Sequence, residues 1–360
     1  MSLETGARQN TEATMPLADS LRRARRVHAT GYAMRVMALV VVVGTLWLAS
    51  LMFGETTYSL GEVARVVVGQ TVPGASFSVG ELRLPRASIA VAAGLAFGMA
   101  GMVFQTLLRN QLASPDIIGI SSAAAAAGVT AIVLFQAGAV VVGSSALAVS
   151  LLVAVAIYLL STGCGRLAGG HGRGFSGARL ILIGIGVGTM LQSWTTYVLS
   201  RAAAWDMPTA TRWLTGSLNN VAFERGWPVL AVVAVAVPLA AVASHQLACM
   251  RLGQDMAKSL GIRSAVVRVG LMVGAVLLVA VATSVCGPVA FVAFMSGPIA
   301  ARLFRPGPAL IIPAGLVGAI LVLGADLAGQ FLFGTRYPVG VVTGALGAPF
   351  LIYLLIRSRA

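Results

Sequence analysis

The sequence predicts an all-α polytopic membrane protein of about ten transmembrane helices, and three observations carry that expectation. Of 360 residues, 58% are hydrophobic and only 10% charged, and the mean hydropathy is +0.91. A soluble domain carries about 25% charged residues, so this composition cannot cover a surface in water. Apolar runs of roughly 18 residues or more recur along the chain, the length of helix that crosses a bilayer. The 42 glycines suit helices that approach one another closely in lipid.

Residues 1–35 are polar and carry a basic cluster, Arg22, Arg23, Arg25 and Arg26. They are expected to form a disordered cytoplasmic tail whose cluster is a topology signal rather than a lipid-recognition site. The apolar run that follows could imitate a secretory signal. Its leader is too long and many spans follow, so it reads as an uncleaved first helix. A transmembrane domain over 36–357 then holds ten spans, at about 36–53, 84–106, 117–137, 140–163, 180–200, 227–246, 269–286, 289–303, 309–327 and 340–356.

An even number of spans puts both termini on one side. With that side cytoplasmic, the inner segments hold 18 of the 25 basic residues and the outer ones hold Arg65, Arg83, Arg86, Arg201, Arg212, Arg225 and Arg336. The excess of Lys and Arg inside favours this orientation. Trp205, Trp213, Trp227, Tyr58 and Tyr337 then fall outside, where aromatic rings anchor at headgroups.

Much chemistry is excluded. The net charge of +14 is spread over many short connections, which suits topology rather than nucleic acid. Cys164, Cys249 and Cys286 are far apart and show no metal or disulfide spacing. His28, His171 and His245 form no HExxH pair. The single lysine, Lys258, follows Ala257, so no GxxxxGK[ST] phosphate loop exists and any ATP must be bound by another subunit. Asp326 is the one acid expected at membrane depth, as a helix-end carboxylate with a backbone or Arg partner. GLAFGMAG (94–101) and GIGVG (184–188) read as close-packing seams. Gln105 and Gln192 read as interhelical hydrogen bonders.

RLGQDMAKSLGIR (251–263) interrupts two apolar runs on the cytoplasmic side. Met256 and Leu260, four apart, share one face of a short helix, and Gly261 suits its C-terminal stop. Such a helix either lies on membrane lipid or docks into a partner, and its amphipathicity does not choose between them.

Three stretches are more specific: LRLPRASIAVAAGLAFGMAGMVFQTLLRNQLASPDIIGISSAAA (82–125), LGQDMAKSLGIRSAVVR (252–268) and GADLAGQFLFGTRYPVGVVTGALGAPFLIYLL (324–355). They resemble the iron–siderophore and cobalamin ABC importer permeases, the FecCD-type family, and within it the ferric-enterobactin and other catecholate siderophore permeases. The resemblance implies a type II ABC importer permease in the cytoplasmic (inner) membrane. It implies a pair of permease subunits, two cytoplasmic ABC ATPase subunits, and a periplasmic or lipid-anchored siderophore-binding protein. No cofactor is bound directly, and ATP is used by the partner ATPase. It also assigns roles. Asp255, Met256, Ala257, Lys258, Ser259, Leu260 and Gly261 match the helix that couples to the ATPase. Arg83 and Arg86 match arginines that meet acids of the binding protein. Asn110, Leu112 and Ser176 fall near the cytoplasmic gate.

The chain departs from the family at several points. Gln330 stands where a further docking arginine is common, and Arg336 is the candidate substitute. Gln111 replaces the proline of R-N-P-L, and Gly297-Pro298 replaces a P-H pair, so no histidine chemistry transfers. These departures suit pairing with an unlike second permease, a heterodimer rather than a homodimer.

Overall fold

A computed structural model describes the backbone of residues 3–167, 177–251, 256, 259, 264–304 and 310–357. The described residues are mostly helical and contain no strand. The α-helices whose bounds are described are α1 (Leu3–Met52), α2 (Leu60–Val67), α3 (Leu84–Leu107), α4 (Ile120–Phe135), α5 (Ala139–Leu167), α6 (Gly177–Ser200), α7 (Met207–Thr215), α8 (Phe223–Arg251), α9 (Ser264–Cys286), α10 (Val292–Leu303), α11 (Ile311–Phe331) and α12 (Val339–Arg357). A π-helical stretch, Ser76–Arg83, runs straight into α3, and a short 3-10 turn, Pro115–Ile118, precedes α4.

Among the described residues, eight helices are long and apolar enough to cross a membrane: α1, α3, α5, α6, α8, α9, α11 and α12. The third and eighth expected spans are the shorter apolar helices α4 and α10. Over 1–35, where a disordered tail was expected, the backbone is helical from Leu3 and continuous with the first span.

The bundle is built around α3. Of its membrane-length window, 83% is buried, against 11% for α1. Its most extensive partner is α11, with α9 and α10 alongside. The reason lies in GLAFGMAG. A Cβ at Gly94 or Gly98 would overlap the backbone of α11 at Ala319 or Ala314, and one at Gly101 would overlap the Ala293 carbonyl of α10. Gly318 of α11 faces Gly94 in return. Small residues let the backbones touch, and in lipid that contact is what holds helices together. The second seam behaves alike, with Gly184 of α6 against the backbone of Ile118. Gln105 donates to the Phe294 carbonyl across α3 and α10 (3.0 Å). Gln192, by contrast, is exposed on α6.

The connections sort to two ends. At one, the Ser217 amide donates to the Cys286 carbonyl (2.7 Å) and Gly340 to Gly216 (3.2 Å), and Arg336 reaches Glu55. All of these belong to segments expected outside. At the other end, Tyr32 meets Phe304 edge-on with ring centroids 5.3 Å apart. Arg302 lies 4.6 Å over the Tyr353 ring, also at that end. Among the described residues, segments expected on the same side thus meet at the same end of the bundle.

Candidate functional site

At the outer end, the R-L-P-R turn sets two arginines on either side of Pro85. Pro85 is the second residue of α3, directly after the π-helical stretch that runs into it. Arg83 reaches back to α1. Its Nη1 donates to the carbonyls of Leu51 (3.0 Å) and Met52 (3.2 Å), and its Nη2 to that of Thr56 (2.7 Å). These carbonyls, at and just beyond the end of α1, have no continuing helix to bond them, and a cation there also complements the helix dipole. Gly54 makes room, because a Cβ there would occupy the place of the guanidinium. The Tyr58 ring lies 5.1 Å from the Arg83 guanidinium carbon, and its hydroxyl donates to the Gly74 carbonyl (2.7 Å).

Arg86 turns into the bundle. Its Nε and Nη2 donate to the two carboxylate oxygens of Asp326 on α11, at 2.9 and 2.8 Å. Gln330, one turn on, adds a third donor at 2.9 Å. Asp326 is 2% exposed. A bidentate, fully donated carboxylate is the form in which a buried charge is tolerated. Asp326 therefore has the Arg partner its helix-end reading foresaw. Gln330, read as a lost docking arginine, serves the same carboxylate.

Arg336 is exposed and pairs with exposed Glu55 on the loop after α1. The structure thus gathers the three proposed docking residues around the outer ends of α1, α3 and α11. In this conformation the guanidinium groups of Arg83 and Arg86 are turned to internal acceptors. Glu55 and Thr56, which engage two of the three, carry no signal in the sequence beyond lying in the same loop.

At the opposite end, α3 closes on Arg109, whose backbone is left-handed (φ 51°). The Asn110 side chain accepts the Leu112 amide at 2.9 Å, an Asx turn that needs no proline at 111. Leu112 is half-buried. Ser114 and Ser121 donate to Asp116, while burial pushes that carboxyl above its usual range. Ser176, the third gate candidate, lies outside the described residues. So do Asp255, Ala257, Lys258, Leu260 and Gly261 of the coupling segment. Met256 and Ser259 are described: both are helical and exposed, and the Ser259 hydroxyl donates to the Met256 carbonyl at 2.8 Å, one turn back.

No group of His, Cys, Asp and Glu able to hold a metal occurs among the described residues. The arrangement offers buried helix seams and a polar outer rim, the equipment of a membrane passage.

Comparison with known proteins agrees. The chain is 34% identical to the ferric enterobactin transport system permease protein FepG of Escherichia coli (strain K12) over 318 residues, covering 88% of this chain and 93% of that one. It is 34% identical to the achromobactin transport system permease protein CbrC of Dickeya dadantii (strain 3937), covering 94% and 95%. Permeases named for ferric hydroxamate and ferric citrate import in Bacillus subtilis match at 30%. The fold matches the structure described as an inward-facing conformation of a metal-chelate type ABC transporter, with a TM-score of 0.74 at 23% identity, over 90% of this chain and 99% of that one. The model of the FecCD transport family matches residues 39–357, and the chain, a multi-pass protein of the cytoplasmic membrane, belongs to that family of ABC importer permeases.

Proposed function

We propose that this permease carries a ferric catecholate siderophore, of the ferric-enterobactin type, across the cytoplasmic membrane. The observation that supports this most is the near full-length similarity to a permease named for ferric enterobactin. The chelate is substrate, and it passes between this chain and a second, unlike permease. Two ATPase subunits bind below, and the helix holding Met256 and Ser259 transmits their closure. An acidic binding protein meets the outer rim near Arg83, Arg86 and Arg336, with Arg336 the most accessible of the three. Rim ion pairs of this kind steer and orient a partner more than they hold it. Asn110, Leu112 and Ser176 belong to the inner constriction.

A second reading, another ferric chelate, draws on the relatives named for hydroxamate and citrate. Uptake of radiolabelled ferric enterobactin, a ferric hydroxamate and cobalamin, in cells with and without the chain, separates the two. Loss of ferric-enterobactin uptake alone on deletion is the expected result. Loss of hydroxamate uptake instead would establish the second reading. Met256→Asp with Leu260→Asp, at normal membrane levels, should abolish whichever uptake the intact chain restores. Undiminished uptake would remove the coupling role.

A further inference from the structure

We propose that the outer end of the bundle holds a membrane phospholipid, its phosphate bound at Arg212, in a cavity between α4, α5, α7 and α8. The cavity measures about 450 Å3, within the range of small-molecule sites. Its lining grades from charged to apolar. Arg212 comes from the last turn of α7, and Glu224 and Arg225 from the first turn of α8. Ile132 and Leu147 also line it. Leu147 lies eight residues into α5, about 12 Å deeper along the helix. An amphiphile with a charged head and an apolar tail has this same grading.

The charged groups are available. Arg225 is taken up by the Asn220 carbonyl. The Arg212 guanidinium and the Glu224 carboxylate are exposed, and neither makes a hydrogen bond or ion pair with another described residue. A guanidinium suits a phosphodiester, which it can meet with two parallel donors, and a nearby carboxylate suits the ammonium of an ethanolamine head. The cavity's edge opens at the surface of the bundle. Val140, which lines it, is 69% exposed, and Trp227, which lines it from α8, is 62% exposed. Tryptophan at this level marks the headgroup layer, and basic pockets between spanning helices take phospholipid headgroups.

The test counts phospholipid on the full chain, purified in detergent as the complex it forms in the membrane. Native mass spectrometry follows retention of added phosphatidylethanolamine and phosphatidylglycerol. Arg212→Gln should weaken retention about fivefold, the effect of one basic residue at a lipid surface. Arg212→Lys should keep most of it. Arg201→Gln, which removes an exposed outer arginine not lining the cavity, should change nothing. Preference for phosphatidylethanolamine would place Glu224 on the ammonium, and equal retention of both lipids would confine recognition to the phosphate. Unchanged retention in Arg212→Gln, or an equal fall in Arg201→Gln, overturns the site. Loss of a protein subunit from the Arg212→Gln complex with lipid counts unchanged also overturns it, and assigns the cavity to that subunit.

Discussion

At the scale of single residues, the outer rim turns on how one tripeptide step divides two arginines. Arg83 and Arg86 are three apart, yet one closes the end of α1 and the other neutralises Asp326. Breaking a buried, hydrogen-bonded ion pair leaves a charge without compensation and costs about 3–5 kcal/mol. Asp326→Asn and Arg86→Gln should each lower the melting temperature of the detergent-purified protein accordingly. Combined, they should lose clearly less than the sum of the two; additivity would mean that the two side chains do not depend on each other. That Asp326 needed a partner was legible in the sequence, because an acid at membrane depth is costly alone. Which arginine supplied it was not. The partners are 240 residues apart, and a single sequence shows the face of a helix but not the helix it meets. The same limit hid the Glu55 carboxylate beside Arg336.

Among elements, periodicity and length carried most of the information. Each of the ten expected spans holds a helix, eight of them long enough to cross a membrane and two, α4 and α10, shorter, because an apolar run without charge has one economical structure in lipid. What they left out were the short helices outside the apolar core. Both had local signals. The α2 helix begins with Ser59 and Glu62, a reciprocal capping box in which the Glu62 carboxylate accepts from the Ser59 amide at 2.8 Å. That bonding holds the Glu62 carboxyl below its ordinary range. The α7 helix has Pro208 in its first turn and Gly216 at its end (φ 72°). The glycine seams were read correctly as packing, and they make a sharp test. Gly101→Ala drives a methyl into the Ala293 carbonyl and should cost about 1–3 kcal/mol. Gly274→Ala meets nothing within 4 Å and should be neutral or mildly stabilising. Equal melting temperatures for the two would refute the role of the seam. The segment 251–263 was legible as an amphipathic interruption, whereas the coupling role proposed for it came only from resemblance, since lipid and protein offer an apolar face the same reward.

For the whole molecule, the sorting of connections to two ends is the property most open to direct measurement. In a background without Cys164, Cys249 and Cys286, Gln70→Cys should react with an impermeant thiol reagent in intact spheroplasts. Gln111→Cys should react only after the membrane is opened. Both positions are exposed, so access alone decides the outcome, and labelling of both from one side would refute the alternation. The sorting also distributes charge. In the orientation expected from the sequence, outer segments hold seven arginines against six carboxylates, and inner segments hold 18 basic residues against five acids. Nearly all of the +14 therefore resides on one face. In that expected orientation, the molecule is a strong electrical dipole set across the bilayer, with its positive pole on the cytoplasmic side. The field that energises the cell thereby favours the inserted orientation. The outer face is close to neutral, so a protein arriving there is guided by where individual charges stand rather than by how many there are.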